Sequence, residues 1–598
     1  MTAAQSTSFS PATVLHTPLL TRWQTADGIH LALDAKAPNW IATDERGTRI
    51  LTLLNGQASL AEVALQAHLY PEPGKNLQHV MSFAHSLLRA GIASYTPFAH
   101  PPYAGRAERL TGWNLRELWI HTNNSCNLNC EHCLVSSGPG GDKGLAAEVL
   151  FGAIDESVAL GAERFFFTGG EPFLRRDIYD LIHHVTVTHE RDLVVLTNAT
   201  AFEGGSHRDA LTRLNPEKVR FQVSIDGVRA EDNDPIRGKD TFRKASAGLT
   251  TLASMGFDTS LTVVPCKGNL QGLVDFPALA KRLGASSIHL MWPHHRGRGL
   301  SMFSEFPNVD ELLSVTRAVR DSARTLGVRV DNQDSLTTRV NAVPGVKHDL
   351  IMAGVESLCL YSDGVLYPSA AMANHAELAI GSVSGHSLLD TWKGSSVAQE
   401  LRSVSIANIP SVSGDPLRFL TGGSDLEHAY FHSGSFYGAD PYAHLISELA
   451  RDIMADLGRA GRESVNCRSG YDVPIVYHAM GEGALACGDE IPGAVRMVQS
   501  NCVLAFDTDR PRKLMREFYG SAAVKPQEDL CCPVRPSEQD LAHIPREVVE
   551  RFYGCGSPVP EAALVEGETH IDLGSGAGLT YSSPRSTWDE QAAALASI

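Results

Sequence analysis

Residues 113–300 alternate short apolar segments with amphipathic ones, and this order constrains the fold more than any other feature of the chain. Six apolar segments are typical of buried strands: LWIHT, RFFFTGG, DLVVLTN, VRFQVSID, DTSLTVVP and SIHLMW. Between them lie segments such as LAAEVLFGAIDESVALG, whose apolar residues recur at helical spacing. This alternation predicts an α/β fold with a parallel sheet, either a partial β/α barrel or a doubly wound sheet. In both folds, ligands bind at the carboxyl ends of the strands.

Three cysteines follow the first predicted strand, in the segment TNNSCNLNCEHCL. They are Cys126, Cys130 and Cys133, with the spacing C-x3-C-x2-C. Thiolates this close together in one loop can ligate three irons of a 4Fe-4S cubane and leave the fourth iron open to a chelating ligand. The alternative is zinc, which takes four ligands, with His132 or Cys266 completing the set.

Polar or glycine residues stand at the ends of the next three predicted strands. They are Gly169, Gly170, Glu171, Pro172, Asn198, Ser224 and Asp226. Paired glycines let the backbone approach a ligand, and an acidic side chain beside them accepts hydrogen bonds from an ammonium group. Any one of these residues could serve turn geometry alone. Together, behind one cysteine loop, they predict the polar rim of a small-molecule pocket.

This combination resembles the radical S-adenosylmethionine (SAM) superfamily over residues 113–300. CNLNCEHC is similar to its cluster loop, GGEP to its SAM amino-group motif, and VSIDG followed by DPIRG to its peptide-modifying subgroup. The resemblance implies that the three cysteines bind a 4Fe-4S cluster whose open iron is chelated by S-adenosyl-L-methionine (AdoMet). It further implies that Glu171 binds the AdoMet amino group, Ser224 and Asp226 face the ribose and methionine, and Arg237 binds the carboxylate. The implied reaction is one-electron cleavage of AdoMet to methionine and a 5′-deoxyadenosyl radical, with an external electron donor of flavodoxin or ferredoxin type.

Residues 19–97, after a loose tail at 1–18, predict a small winged-helix-like module. A hairpin is predicted in LTRWQTADGIHLALD, and helices in GTRILTLLNG, SLAEVALQAHL and NLQHVMSFAHSLLRAGI. LLNGQASLAEVA and FAHSLLRAGIAS resemble the peptide chaperone of pyrroloquinoline quinone biosynthesis, a leader-peptide recognition module. The resemblance implies a peptide substrate with a leader sequence, which would add a strand to an open sheet edge. The alternative is a small regulatory or packing domain, and residues 98–112 are predicted to be a linker.

Residues 301–440 look less regular, and their later part resembles a SPASM domain, an accessory region that carries iron-sulfur clusters. Cys359, a D-G turn and a Y-P pair fit the pattern, but Ser369 stands where that domain has a cysteine. A single thiolate cannot hold a cubane, so we expect this fold without a full auxiliary cluster. Three cysteines further on could complete a site, but their spacing matches no known pattern, and we expect each to be a buried free thiol. These are Cys467, Cys487 and Cys502.

Residues 441–525 predict mixed helix and strand, and residues 526–598 resemble the opening of arsenite methyltransferases. The resemblance rests on three thiols, which imply a soft-metal site, and on the run IDLGSGAG, which implies a second AdoMet motif. The thiols are Cys531, Cys532 and Cys555, and the residues of the run are Asp572, Gly574, Gly576 and Gly578. Twenty residues follow Gly578, too few to finish a doubly wound sheet. We therefore expect an incomplete Rossmann-like segment without methyltransferase activity.

The overall charge and the apolar runs exclude some partners. The net charge of −17 disfavours nucleic acid, whose phosphates require a cationic surface. No apolar run approaches the roughly 20 residues of a membrane span, and the N-terminus shows no signal-peptide pattern. We therefore expect a cytoplasmic protein, in which clustered thiols indicate metal ligands before disulfides.

Three hypotheses follow from these patterns. The first is a peptide-modifying radical SAM enzyme, with a partial (β/α)6 barrel, a winged-helix-like N-terminal module and a SPASM-like accessory region. The second is a radical SAM enzyme acting on a small arsenic- or sulfur-containing metabolite linked to methyl transfer. The third, of another class, is a zinc-stabilised peptide-binding protein.

Overall fold

The computed structural model describes residues 9–204, 207–466, 473–482, 493–504, 571–573 and 595–597. The chain divides into two units, Met1–Thr508 and Asp509–Ile598. Within the described residues, no helix has both the length and the apolar character needed to cross a membrane.

The first unit begins with a small antiparallel sheet and three helices. Its strands are β1 (Val14–His16), β2 (Leu20–Gln24), β3 (His30–Asp34), β4 (Asn39–Thr43) and β5 (Asn55–Ser59). Its helices are α1 (Glu45–Leu53), α2 (Leu60–Ala67) and α3 (Pro73–Arg89). Strands β2, β3 and β4 form a meander, and β1 pairs with β5.

The predicted hairpin and the three predicted helices of this region are confirmed, and local capping explains where the helices begin. Asp44 accepts a hydrogen bond from the Gly47 N–H at the start of α1, and Ser59 and Glu62 form a capping box on α2. Strand β4 escaped prediction. All of its residues are buried, so NWIAT lacks the alternation that marks a half-exposed strand.

The six strands predicted for residues 113–300 all form, and each pairs in parallel with the next. They are β6 (Glu117–His121), β7 (Arg164–Thr168), β8 (Asp192–Thr197), β9 (Val219–Ser224), β10 (Asp258–Val263) and β11 (Ser287–Leu290). The helices among them are α4 (Ala147–Ala159), α5 (Ile178–His183), α6 (Arg208–Leu211), α7 (Ala230–Arg237), α8 (Thr241–Ser254) and α9 (Phe276–Leu283). Three consecutive phenylalanines of β7 are fully buried, as expected for a strand covered on both faces. The predicted α/β fold with a mainly parallel sheet is confirmed.

Later strands extend this sheet at both edges to ten strands. Next to β11 lies β12 (Arg329–Val330), and next to β6 lies β14 (Ser357–Leu360), both in parallel pairing. Beyond β14 follow β15 (Val365–Tyr367) and β16 (Gly381–Ser382), which pair antiparallel. A separate pair joins β13 (Lys347–Ile351) to β18 (Val495–Val498), and β17 (Val476–Ala479) pairs with β4.

The region 301–440, predicted to be less regular, contains six α-helices besides strands β12 to β16. Its helices are α10 (Val309–Leu326), α11 (Asp331–Val340), α12 (Leu388–Gly394), α13 (Ser396–Ser403), α14 (Arg418–Thr421) and α15 (Leu426–Ser433). The longest helix of the first unit's described residues, α16 (Ala443–Asn466), follows them. The prediction missed these helices because several are short and begin at local caps, such as Ser387 on α12 and Ser395 on α13.

In the second unit the structure describes one parallel pair, β19 (Ile571–Leu573) and β20 (Leu595–Ser597). Asp572 lies in β19, opposite Ala596. The other residues of the predicted C-terminal sites lie outside the described residues. These are Cys531, Cys532, Cys555, Gly574, Gly576 and Gly578, and Cys467 and Cys487 also lie outside.

Arg106, within the segment predicted to be a linker, is a buried anchor. It is 1% exposed, and its guanidinium donates to the carbonyl oxygens of Ile351 at 2.8 Å and Leu401 at 2.7 Å. Burial lowers the pKa of Arg106 to about 10, while the charge of the buried Asp349 opposes that shift. The guanidinium therefore ties the approach to β6 to β13 and α13.

We expect Arg106→Met to lower the free energy of unfolding of the first unit by about 2–4 kcal/mol, because buried carbonyl oxygens lose their donor and the buried Asp349 loses a nearby positive charge. Chemical denaturation followed by circular dichroism measures the change. The matched control is Arg109→Met, at an exposed position, which should stay within about 0.5 kcal/mol of wild type. Equal stabilities of the two variants would contradict the anchoring role.

Candidate active site

The loop after β6 carries the three cysteines, and backbone hydrogen bonds fix its shape. The Cys126 N–H donates to the Gly138 carbonyl at 3.0 Å, and the Glu131 N–H donates to the Ile236 carbonyl, in α7, at 3.0 Å. Cys126 is buried, and the other two cysteines are partly buried. The backbone that carries the three thiols is therefore held in one conformation.

Arg298, which follows the sixth strand, holds the same loop from the other side. Its Nε donates to the Cys130 carbonyl and its Nη2 to the Ser137 carbonyl, both at 2.8 Å, and its backbone N–H donates to the Cys133 carbonyl at 3.0 Å. The preceding Gly297 has a φ of 58°, and a Cβ atom there would lie 2.5 Å from the Cys133 carbonyl oxygen. Only glycine permits this approach.

A cavity of about 180 Å³ lies among the ends of the parallel strands. The predicted site residues that line it are Cys126, Cys130, Cys133, Gly169, Gly170, Asn198, Ser224 and Arg237. Glu171, Pro172 and Asp226 are buried behind this lining. The structure therefore brings the cysteine loop and the three predicted strand ends to one cavity.

The three thiols fit a cluster better than a single metal ion. Their three sulfur atoms do not all lie within 4.8 Å of one another in the described part of the chain. Sulfur ligands of one zinc ion would stand about 3.8 Å apart, given Zn–S bonds of about 2.3 Å. Burial raises the pKa of Cys126 to about 12, so its thiolate needs a positive centre such as bound iron. Three thiols facing one cavity fit the donor set of a 4Fe-4S cluster with one open iron.

The Gly169-Gly170 turn approaches the cysteine loop itself. The Gly170 N–H donates to the Asn123 carbonyl and the Glu171 N–H to the Ser125 carbonyl, both at 2.8 Å. A Cβ atom on Gly170 would lie 2.0 Å from the Ser125 carbonyl oxygen. The glycines therefore let the turn after β7 lie directly against the loop that carries the thiols.

The Glu171 carboxylate joins the ends of β7 and β8. It accepts hydrogen bonds from the Thr197 hydroxyl and the Asn198 N–H, both at 2.8 Å, and from the Phe173 N–H at 3.2 Å. Burial raises its pKa to about 7, and these hydrogen bonds oppose the shift. Its contact with the AdoMet amino group stays a prediction, and the geometry adds a second role in shaping the turn.

Asp226 is the centre of a buried charge cluster beside the cavity. It is 0% exposed, and its carboxylate lies 2.6 Å from Arg237 Nε and 2.5 Å from His132 Nε2, and accepts from the Val264 N–H at 2.9 Å. Although burial raises the pKa of Asp226, these partners hold it below its usual value. The cluster keeps Arg237 charged where it faces the cavity.

Sequence reasoning missed the contribution of the segment after β11. Arg298 and His294 line the cavity, and Cys502, expected only as a buried thiol, lines it too. A signal was available: MWPHHRGRG is a basic, histidine-rich stretch directly after the sixth strand, where the same strand-end rule applies.

Comparisons with known proteins agree with this geometry. Residues 120–276 match the model of the radical SAM superfamily. The chain is 30% identical over 289 residues to the mycofactocin maturase MftC of Mycolicibacterium smegmatis, covering 46% of this chain and 70% of that protein. The chain belongs to the radical SAM superfamily. It is therefore an enzyme whose cofactors are a 4Fe-4S cluster and AdoMet, and the hypothesis of a zinc-stabilised binding protein is not retained.

The chain is also similar to other proteins, over a smaller part of its length or at lower identity. The AdoMet-dependent heme synthase of Methanosarcina barkeri is 32% identical over 198 residues, covering 32% of this chain and 53% of that protein. Among solved structures, Streptococcus suis SuiB bound to S-adenosylmethionine has a TM-score of 0.43 at 13% identity, over 71% of this chain and 98% of that one. An anSMEcpe structure with bound AdoMet has a TM-score of 0.48 at 15% identity, over 60% of this chain and 96% of that one.

We expect alanine at Cys126, Cys130 or Cys133 to abolish both the iron-sulfur absorbance and the release of 5′-deoxyadenosine, because a cubane with two protein ligands is not retained. Anaerobic reconstitution, iron analysis and chromatography of the products measure both. The control is Cys266→Ala, a buried thiol outside the loop, which should keep the cluster. Release of 5′-deoxyadenosine by the triple variant would refute the assignment of these ligands.

We expect Glu171→Gln to weaken AdoMet binding by about tenfold or more, with iron content unchanged, because an amide cannot accept from all three donors that hold the turn. Calorimetry on the reconstituted enzyme measures the affinity. Glu163→Gln, at an exposed site next to the start of β7, is the matched control and should bind AdoMet as wild type does. Unchanged affinity in both variants would show that the carboxylate serves neither the ligand nor the turn.

Proposed function

We propose that this protein is a peptide-modifying radical SAM enzyme whose N-terminal module binds the leader segment of its substrate. The observation that carries the proposal is an unpaired sheet edge, at β2, in the module that precedes the radical SAM core in the sequence. Strand β2 pairs only with β3 among the described residues, while the opposite edge of the meander, at β4, is covered by β17. The similarity to mycofactocin maturases supports the same substrate class.

The free edge of β2 suits the addition of an extended peptide. An unpaired edge strand offers a row of N–H and C=O groups to another chain. Along an antiparallel strand, the backbone groups of successive residues point alternately toward the paired strand and away from it. The Thr25 N–H, just after β2, points toward β3 and donates to the Ile29 carbonyl at 2.9 Å. By this alternation the N–H groups of Arg22 and Gln24 point outward. Leu19, just before the strand, is 85% exposed and offers an apolar contact.

The predicted site residues supply a consistent arrangement for AdoMet. In this proposal the three cysteines hold the cluster and the turn of Gly169 to Pro172 holds the amino group. Asn198 and Ser224 line the cavity and face the ribose and methionine, and Asp226 lies behind that lining. Arg237 binds the carboxylate. Its guanidinium lines the same cavity as the three cysteines, which supports this role.

When bound, the reduced cluster supplies the electron that cleaves AdoMet to methionine and the 5′-deoxyadenosyl radical. A flavodoxin- or ferredoxin-type donor is proposed to deliver that electron. The chain's own residues hold the carboxylate and amino groups of AdoMet in one orientation, so the new radical forms at a fixed place. Trp119, Met291 and Trp292 line the cavity and exclude water, which protects a reactive carbon radical.

We propose the following domain assignments as well. Residues 19–97 would be the leader-binding module, residues 113–300 the radical SAM core, and residues 301–440 a SPASM-like region without a full auxiliary cluster. Residues 526–598 would be a methyltransferase-like segment, and the enzyme would work in the cytoplasm.

The test uses the full reconstituted enzyme and a precursor peptide encoded beside its gene. We expect the peptide to gain or lose mass, with 5′-deoxyadenosine formed in proportion. Gln24→Pro removes an outward N–H of β2 and should weaken peptide binding by about tenfold or more, since each 1.4 kcal/mol is a factor of ten.

Gln24→Ala is the matched control, because it truncates the same exposed side chain and keeps the backbone N–H. It should bind and modify the peptide as wild type does, and neither variant should change the rate of AdoMet cleavage in the absence of peptide. Equal peptide affinity for the proline and alanine variants would disprove the edge as the docking site. Turnover with no chemical change in any such peptide would disprove the substrate class.

A further inference from the structure

The region expected to lack an auxiliary cluster contains a different set of donors. Cys359 in β14 is fully buried, and Ser369, after β15, stands where a SPASM domain has a cysteine. The Ser369 hydroxyl lies near enough to the Glu427 carboxyl to affect its pKa. In place of a second thiolate, this position therefore faces a buried carboxyl group.

Three side chains from distant parts of the chain converge there. They are His294, after β11, Glu427, in the first turn of α15, and Cys502, after β18. One ligand atom of each lies within 4.8 Å of the other two, and Cys502 Sγ is 3.9 Å from a Glu427 oxygen. Their exposed fractions are 6%, 0% and 5%.

These donors are incompletely satisfied by the protein. Both ring nitrogens of His294 and the Oε1 of Glu427 have no hydrogen-bond partner among the described residues. A buried polar atom without a partner costs free energy, so native structures rarely leave several together. A bound cation would take one ring nitrogen of His294 and the Glu427 carboxylate as ligands.

The backbone around the group is rigidly placed by the parallel sheet. Gln222 in β9 donates from Nε2 to the Cys502 carbonyl at 2.9 Å, and the ring Nε2 of His289 in β11 lies 2.7 Å from the Asn501 carbonyl. Asp425 caps α15 by accepting from the Glu427 N–H at 2.9 Å. Donors fixed on separate rigid elements are the arrangement that a metal site requires.

We propose that His294, Glu427 and Cys502 bind one divalent transition-metal ion at the wall of the active-site cavity. A set of one imidazole, one carboxylate and one thiolate suits an ion of intermediate softness, and zinc is the one we infer, with ferrous iron the competitor. Three protein ligands leave a fourth position of a tetrahedral ion open.

The open position would face the substrate. His294 and Cys502 line the same cavity as the three cluster cysteines. The ion can thus hold a donor group of the substrate, such as a thiolate, a carboxylate or a carbonyl oxygen, beside the place where hydrogen is abstracted. Arg296, whose guanidinium donates to the Ala371 and Ala373 carbonyls, adds a nearby positive charge that balances the two anionic ligands.

Protonation of the metal-free group agrees with this geometry. Burial raises the pKa of Glu427 to about 8 and raises that of Cys502, while burial lowers the pKa of His294. The imidazole is therefore already in its ligand form, and zinc would displace protons from the other two donors. The inference does not depend on a peptide substrate.

The test uses the full chain with Cys126, Cys130 and Cys133 replaced by alanine, so that no iron-sulfur absorbance interferes. The metal-stripped protein is titrated with Co²⁺, which reports a thiolate ligand by a charge-transfer band and a tetrahedral site by its visible bands. We expect a site of one Co²⁺ per chain that zinc displaces. In the same background, Cys502→Ser should remove the charge-transfer band and weaken binding by at least about 100-fold, since even outer-shell changes cost 10–100-fold.

The control is Cys359→Ser, a buried thiol outside the group, which should keep the Co²⁺ spectrum. Glu427→Gln keeps the shape of the side chain and guards against a folding defect: zinc should raise the melting temperature of the parent but not that of this variant. A Co²⁺ spectrum unchanged by Cys502→Ser, or equal zinc stabilisation of the parent and Glu427→Gln, would overturn the proposal. Iron in place of zinc at this site in the isolated wild-type enzyme would still support the site and identify the competitor as its ion.

Discussion

The candidate active site depends on one backbone contact: the cysteine loop lies against the turn that follows β7. Gly170 donates to Asn123 and Glu171 to Ser125, and neither bond could form if a side chain stood at Gly170. Arg298 holds the other half of the loop from the end of β11. Since β6 and β11 are the first and sixth of the strands predicted for residues 113–300, the loop is tied to both ends of that set. The positions of the three thiols are thereby coupled to the register of all six strands.

Buried charges stiffen the same edge. Glu171 links the ends of β7 and β8, and Asp226 links the end of β9 to α7 and to the cysteine loop through Arg237 and His132. A buried carboxylate is costly unless its hydrogen bonds are complete, so each of these groups resists movement of the strand ends around it. The polar residues at the strand ends are therefore predicted to contact the ligand, and they also hold the strand ends in place. For that reason variants at these positions need a readout of ligand affinity beside one of cluster content.

Much of the core could be predicted from sequence, because apolar runs and strand-end residues are local signals. The six strands and the residues at their ends were found this way. Strand β4 was missed because burial on both faces removes the alternation, and the helices of residues 301–440 were missed because many are short. Arg106, Arg298 and the group of His294, Glu427 and Cys502 could not be recognised by spacing. Cys502 lies 75 residues from Glu427 in the sequence, and His294 lies still further from both, so only the folded chain brings the three together.

The accessory region is part of the cavity, because the sheet continues into it. Strand β14 pairs with β6 directly beside the cysteine loop, so the hairpin of β14 and β15 extends the core sheet. Ala370 and Ala371, just after Ser369, line the cavity together with the cluster cysteines. Ser369 supplies a hydroxyl near the Glu427 carboxyl, and the proposed group of His294, Glu427 and Cys502 offers one imidazole, one carboxylate and one thiolate. Such donors suit a single ion, which transfers no electrons when it is zinc. In the proposed site, the ion would therefore bind and polarise a substrate group at the cavity wall and would not pass electrons.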